Sequence, residues 1–309
     1  MSRKIIFMGT PLFAVPILKS LYQNGYPISI VYTQPPQKSQ RGQKINKSPV
    51  QGISETLNLD FRAPISLKNN KEEYDYLKKL NADIAIVVAY GQIIPKEILA
   101  LTKKGFINIH ASLLPKWRGA APIQRSIMNL DKQTGLSIMK INEKLDTGPV
   151  CNSYKLDIQY NDNAEIISEK LSILAAEKIL DNIDDILENK LEFKEQNHKD
   201  ATYANKIEKS EGKIDWNKSA ESIIGKINGL YPNPSGWFLY NGERYKILKA
   251  EISNGVGKAG VVLDDHLEIC CNDKSIKILE IQRQGKRPQN INEFMLGSQI
   301  KKGSNLNNA

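Results

Sequence analysis

Ile84-Ala85-Ile86-Val87-Val88-Ala89 runs straight into Tyr90-Gly91. Six consecutive apolar residues rich in Ile and Val make a strand rather than a helix, because β-branched side chains favour extended backbone and the run is short. Side chains alternate along a strand, so a run apolar at every position is buried on both faces, as in the centre of a parallel sheet. The neighbouring sequence has the same character. Lys4 to Met8, Ile28 to Thr33 and Gly105 to His110 are further strand-length runs. Between them, Pro11 to Gln23 and Glu72 to Leu80 carry helical spacing, the former closed by Asn24-Gly25. Strands alternating with helices predict an α/β domain, a parallel sheet with helices on both faces. Ligands in such sheets sit outside the carboxyl ends of the strands, which directs the search for chemistry to Ala89-Tyr90-Gly91 and Asn108-Ile109-His110.

Further along, Ala164 to Leu187 has the periodicity of a long helix that closes this domain, and the polar, charged stretch from Leu191 to Glu211 reads as a surface linker. A helix is then expected over Ser219 to Leu230. Five short strands follow, Trp237 to Tyr240, Tyr245 to Ile252, Gly260 to Leu263, Leu267 to Cys270 and Ile276 to Gln282, which suggests a small barrel of OB-like form. The expected division is 1–189 for the α/β domain, 190–206 for the linker and 207–309 for the β module.

The 309 residues, 40% hydrophobic and 25% charged, have room for full cores and exclude a disordered or fibrous chain. No stretch reaches the roughly 20 apolar residues of a membrane span, and a strand opening near Lys4 leaves no space for a targeting peptide. A soluble intracellular protein with no membrane association is therefore expected. Cys151, Cys270 and Cys271 have no CxxC spacing and predict neither a disulfide framework nor a zinc site. Forty-three Lys and Arg against 34 Asp and Glu leave a net charge of +9, which permits a polyanionic partner without requiring one. The first strand ends in Met8-Gly9-Thr10-Pro11, one glycine where a dinucleotide fingerprint needs three, and GxxxxGK[ST] does not occur. Nicotinamide, flavin and P-loop chemistry are accordingly disfavoured.

The densest cluster of polar and turn residues is Asn108-Ile109-His110-Ala111-Ser112-Leu113-Leu114-Pro115, with Trp117-Arg118-Gly119-Ala120-Ala121-Pro122 behind it and Leu145-Asp146-Thr147-Gly148 downstream. Strand alternation puts Asn108 and His110 on one face. An amide there can donate to a developing oxyanion, an imidazole can move a proton, and an Asp from another loop can orient that imidazole. These three suit acyl or one-carbon transfer to an amine. The competing structural reading makes His110 a strand cap and Asp146 a turn cap.

Asn108-x-His110-x-Ser112-Leu113-Leu114-Pro115 together with Asp146-Thr147-Gly148 resembles the signature of the folate-dependent formyltransferases. Phe7 to Pro11, Val88 to Gly91, Pro115 to Arg125 and Ile214-Asp215-Trp216 narrow the resemblance to the bacterial branch that formylates initiator methionyl-tRNA, and it spans the whole chain. The resemblance implies a Rossmann-like catalytic domain followed by an OB-like tRNA-binding domain. It implies Asn108, His110 and Asp146 as catalytic residues, and 10-formyltetrahydrofolate as co-substrate in a pocket lined by Ser112, Leu113, Leu114 and Pro115, with Tyr90, Gly91, Gln92 and Ile93 as a second wall. It requires no metal. A cytoplasmic monomer acting in translation initiation is the expectation that follows.

Two basic features fit that resemblance. Gln34 to Lys47 carries four cations and no acid, and reads on composition as a solvated loop; in the family a loop here reaches the tRNA acceptor end, with Arg41 flanked by Lys38 and Lys44. The departure from the family's usual wording before Arg41 leaves open which cation matters most. The second comprises Lys206 in the linker and Arg283, Lys286, Arg287, Lys301 and Lys302 in the tail, cations suited to phosphate neutralisation. Alternatives stay open: a formyltransferase acting on a small amine such as a sugar nucleotide, or a catalytically silent RNA-binding protein. A basic β module argues against the first, and retention of Asn108, His110 and Asp146 together against the second.

Overall fold

The computed structural model describes residues 3–39, 44–298 and 300–307. Its first half runs β1 (Ile5–Gly9), α1 (Val15–Gln23), β2 (Ile28–Tyr32), β3 (Gln37–Ser39), β4 (Lys44–Asn46), α2 (Pro49–Thr56), β5 (Phe61–Arg62), α3 (Lys71–Leu80), β6 (Ile84–Val88), α4 (Lys96–Leu99), β7 (Phe106–His110) and β8 (Arg118–Gly119). Then come α5 (Pro122–Met128), β9 (Gln133–Lys140), β10 (Val150–Asp157), α6 (Ala164–Leu187) and β11 (Tyr203–Ala204). The chain closes with α7 (Ala220–Gly229), β12 (Gly236–Tyr240), β13 (Glu243–Ser253), β14 (Glu268–Cys270), β15 (Ser275–Arg283), β16 (Gln289–Asn290) and α8 (Ile291–Met295). Two compact units result, one of Met1–Gly119, Gly135–Leu156 and Ser168–Tyr203, the other of Ala120–Thr134, Asp157–Ile167 and Ala204–Ala309. Among the described residues no helix is long and apolar enough to cross a membrane.

The first unit is built on a seven-stranded sheet in the order β10-β9-β7-β6-β1-β2-β5. β1, the run quoted above as β6, and their neighbours β2, β5 and β7 are parallel, as expected, but β9 runs antiparallel to β7. The sheet is therefore mostly rather than wholly parallel. β6 is buried at all five positions and so is β1, which is what their unbroken apolar sequence demands. Helices are set by local capping: Asn70 accepts from the Glu73 N–H at the start of α3, and Asn81 closes it at φ +49°. The expected helix over Pro11 to Gln23 begins later, at Val15, preceded by a 3-10 turn over Leu12–Ala14.

The basic segment from Gln34 to Lys47, which composition marks as a solvated loop, contains a ribbon. β3 and β4 pair antiparallel, with Gln37 opposite Asn46 and Ser39 opposite Lys44. A backbone ladder satisfies its own donors and acceptors whatever the side chains are, so polarity alone does not exclude it. Arg41 lies outside the described residues.

The second unit carries an antiparallel sheet in the order β12-β13-β15-β14, with β16 pairing to β15. Its core gathers Trp216, Ile223, Ile227, Phe238, Tyr245, Ile247, Ile269, Ile276 and Ile281. Phe238 stacks on Tyr245 at 5.5 Å between ring centres and meets the edge of Trp216 at 6.0 Å. The strand expected at Gly260 to Leu263 is absent: Val261 and Val262 make isolated bridges to Asn305 and Ile269. β16 supplies the fifth strand instead. In the same unit α5 and α7 approach so closely that a Cβ on Gly225 would stand 2.7 Å from Leu130 Cδ2, and one on Gly229 2.6 Å from Met128 Cγ.

Candidate active site

β7 is held between β6 and β9, with Asn108 opposite Val87 on one side and Met139 on the other, and His110 opposite Ser137. Two ladders leave the strand no freedom to slide, and its pleat carries Asn108 and His110 to the same face. His110 is buried, 7% exposed. Asn108 is half-buried, and among the described residues its side-chain amide has no hydrogen-bond partner, so it is open to donate.

The His110 Nε2 lies 3.0 Å from the Trp117 carbonyl. A carbonyl only accepts, so Nε2 carries the hydrogen and Nδ1 is the unprotonated nitrogen of the neutral ring. That Nδ1 faces Asp146 Oδ2 at 3.8 Å, beyond hydrogen-bond range but close enough for a charge pair once the ring takes a proton. Asp146 is set in the left-handed region at φ +48°, and its Oδ2 accepts the Gly119 N–H at 2.8 Å. Gly148, two residues on, is the contact that seats this turn: a Cβ there would lie 1.9 Å from the Lys140 carbonyl oxygen. Sequence patterning singles out Asn108, His110 and Asp146, and in the structure Asp146, in the loop between β9 and β10, faces His110, which shares the end of β7 with Asn108.

The stretch Ser112 to Pro115 is divided in role. Ser112 is fully buried; its hydroxyl donates to the Lys116 carbonyl at 2.6 Å and its carbonyl accepts from Ser137 Oγ at 2.8 Å. Ser137 Oγ in turn accepts the Leu114 N–H at 3.0 Å and is 2.9 Å from Ser153 Oγ. With its hydrogen already given to Ser112, Ser137 must accept from Ser153 as well. Leu113, Leu114 and Pro115 are half-buried and supply apolar surface.

Tyr90 to Ile93 divides similarly. The Tyr90 ring is 2% exposed inside a core cluster with Leu77 and Phe106, and burial pushes its hydroxyl well above the ordinary tyrosine range. Its carbonyl accepts from Thr10 Oγ1 at 2.8 Å, while Gln34 Nε2 donates to the Gly91 carbonyl at 2.9 Å, tying the ends of β1, β2 and β6 together. Gln92 donates to the Pro64 carbonyl at 2.8 Å. Gly91 and Ile93 face solvent, Ile93 at 86% exposure.

The cations differ in their surroundings. Lys206, Lys286 and Arg287 are exposed. The Arg283 guanidinium instead forms a forked ion pair with Glu243 at 2.6 and 2.8 Å, so it is not a free member of the tail patch. Lys38 and Lys44 lie on the β3–β4 ribbon. Among the described residues no cluster of three His, Cys, Asp or Glu could hold a metal ion.

Sequence reasoning did not single out Gln196, although it is buried beside the candidate residues. Its Nε2 donates to the carbonyls of Asp146 and Gly148 at 2.9 and 2.7 Å, and its Oε1 accepts from Arg118 Nε and Nη2 at 3.0 and 2.6 Å. Gln196 sits in a polar stretch with nothing around it to mark it.

Residues 3–183 match the formyl transferase model and residues 206–299 the formyl transferase C-terminal domain model. The methionyl-tRNA formyltransferase of Pelagibacter ubique (strain HTCC1062) is 70% identical over 309 residues, the whole of both chains. Among solved structures, an N-formyltransferase from Helicobacter canadensis in complex with folinic acid and dTDP-3-aminofucose superimposes with a TM-score of 0.68 at 20% identity, over 90% of this chain and 99% of that one. HypX from Aquifex aeolicus in complex with tetrahydrofolic acid matches with a TM-score of 0.63 at 14% identity; 96% of this chain is covered, and it spans about half of HypX, 47%. The low identities of these two structures convey the fold. With both of its modules matched and a full-length relative at 70% identity, the chain belongs to the formyl transferase family and, within it, to the methionyl-tRNA formyltransferases.

Proposed function

We propose that the protein transfers the formyl group of 10-formyltetrahydrofolate to the α-amine of methionine carried by initiator tRNA. The observation that carries this reading is identity of 70% along the entire length of a methionyl-tRNA formyltransferase, and it is supported by Asn108 and His110 at the end of β7 with Asp146 facing His110. On this reading residues 1–189 perform the chemistry, 190–206 link, and 207–309 hold tRNA, in a bacterial cytoplasm and as a monomer.

The folate is a substrate, and the residues nearby suit it. Leu113, Leu114, Pro115 and the exposed Ile93 offer apolar surface for a flat heteroaromatic ring, and among the described residues the Asn108 amide has no hydrogen-bond partner. As the amine nitrogen bonds to the formyl carbon, the carbonyl oxygen gains negative charge, which Asn108 is free to meet with an N–H. The amine must lose a proton at the same time. His110 Nδ1 is the unprotonated nitrogen, and a proton taken there faces the Asp146 carboxylate across 3.8 Å. Passing that proton to N10 of the folate lets it leave as a neutral amine and restores the ring. Arg41, Lys38, Lys44, Lys206, Lys286 and Arg287 are assigned to tRNA phosphates.

The direct test is a formyl-transfer assay with charged initiator tRNA, charged elongator tRNA, free methionine and a dTDP-linked amino sugar as competing acceptors. Fast turnover on initiator tRNA alone is expected. Preference for the amino sugar would replace this reading with the small-amine one.

A further inference from the structure

The Asp146 turn is held from behind by a side chain that belongs to neither matched module. Gln196 lies between residues 183 and 206, the limits of the two family matches, and is 8% exposed. Both ends of its amide are in use. Nε2 donates to the Asp146 and Gly148 carbonyls, while Oε1 accepts two N–H groups of Arg118. The orientation of this amide follows from its partners, since carbonyls only accept and a guanidinium only donates. A turned amide would set oxygen against oxygen and N–H against N–H.

Arg118 is itself 2% exposed, and among the described residues no carboxylate pairs with it. Its side chain meets Gln196 and, at 3.0 Å, His198 Nδ1, and its own N–H is bound by the Thr202 carbonyl at 2.9 Å. The next residue, Gly119, donates to the Asp146 carboxylate. One dipeptide, Arg118-Gly119, thus braces Asp146 twice: directly at its carboxylate, and through Gln196 at its backbone. Asp146 holds the left-handed backbone conformation at φ +48°, which a short polar side chain tolerates better than most, and here its carboxylate and its carbonyl are both tied by hydrogen bonds.

We infer that Gln196, braced by Arg118, is a positioning residue that holds the Asp146 carboxylate toward His110. The inference rests on the reading of Asp146 as the partner of His110. The nearest replacements each lose part of this: Glu would turn an acceptor toward two carbonyls, Asn is one methylene shorter, and Met leaves both sides unpaired.

The test is a kinetic cycle on the full chain, using formyl transfer from 10-formyltetrahydrofolate to charged initiator tRNA. The variants are Gln196→Glu, Asp146→Asn and the double variant, each checked for a cooperative melt; Gln196→Met runs the same cycle if Gln196→Glu does not fold. Gln196→Glu is expected to lower kcat on the order of 10-fold to 30-fold, with KM for both substrates changed by less than about two-fold, because a displacement of under an ångström affects the transition state and not ground-state binding. In the Asp146→Asn background the same change should cost nothing further, since the group it positions is gone. A support of the fold in general would show the same loss in both backgrounds and overturn the inference, as would full turnover by Gln196→Glu. Full turnover by Asp146→Asn alone would instead overturn the reading of the site.

Discussion

Adding one methyl group at Gly148 tests how tightly the site is built. The Cβ of Gly148→Ala would stand 1.9 Å from the Lys140 carbonyl oxygen, more than an ångström inside the closest approach that Cβ atoms show, with Met139 Cε at 3.3 Å. Something must move. Lys140 ends β9, which is laddered to β7 with Lys140 opposite Ile107 and Met139 opposite Asn108, so β9 cannot yield without dragging the strand that carries Asn108 and His110. The loop yields instead. Its displacement breaks the 2.7 Å bond from Gln196 to the Gly148 carbonyl and carries Asp146 away from the Gly119 N–H. Overpacking of this kind costs about 1–3 kcal/mol. At about 2–4 °C per kcal/mol for a chain of this size, the melting temperature should fall by several degrees. An ångström of misplacement costs on the order of 10²-fold in rate, so kcat should fall that far while the KM for folate stays near its starting value. The assay is initial-rate formyl transfer to charged initiator tRNA beside a thermal melt. Gly52→Ala is the control: Gly52 lies in α2 with nothing within 4 Å of its Cβ position, and should gain up to about 1 kcal/mol of stability from helix propensity. If Gly148→Ala melts and turns over like the parent, the seating argument is wrong.

Other outcomes follow from the same geometry. His110→Ala and Asp146→Asn should each reduce kcat by roughly 10²-fold or more with little change in folate affinity measured by fluorescence, and near-normal turnover in both folded variants would remove the proton-transfer role. The Arg125 guanidinium, at 2.6 and 3.0 Å, holds the Glu211 carboxyl below its ordinary range, so this pair adds stability above the unfolded glutamate pKa that disappears as pH falls through the lower folded value. Urea midpoints should therefore decline on acidification below about pH 4.5 less steeply in Glu211→Gln than in the parent, and identical slopes would contradict the linkage. Binding of charged tRNA should weaken as salt rises, and Lys286→Ala should make the logarithmic slope shallower by about one; a dissociation constant indifferent to salt would exclude phosphate contacts.

The parallel core was readable because burial on both faces leaves an unbroken apolar word, as in Ile5 to Met8 and Ile84 to Val88. β10 has no such word. Lys155 and Ser153 alternate with less exposed residues in a strand buried on at most one face, and a two-residue period over eight positions rich in polar residues is a weak signal. The Val261-Val262 pair misled for the opposite reason. Its β-branched residues are buried or half-buried as a strand's would be, but Gly260 at φ +81° bends the chain and only isolated bridges form. The β3–β4 ribbon was hidden by polarity, since a ladder is made of backbone groups that composition does not report.

The candidate site shows the same division between what local spacing records and what it does not. Asn108 and His110 share a face because they are two residues apart on a strand, and Asp146 is flagged by the glycine two residues later, so each is found within a short word. Their supports are not local. Gln196 is 50 residues from Asp146 and 78 from Arg118. What identifies it is an accounting of buried backbone groups. The Asp146 and Gly148 carbonyls are drawn inside by a turn that no helix or ladder satisfies, and a donor has to come from elsewhere in the chain. An amide suits that task better than a cation here. It supplies two N–H groups without placing a second positive charge beside the carboxylate proposed to pair with His110, and its oxygen accepts from the Arg118 guanidinium already buried there. On the proposed mechanism the Asp146 carboxylate then meets, among the described residues, the imidazolium that forms when His110 takes a proton.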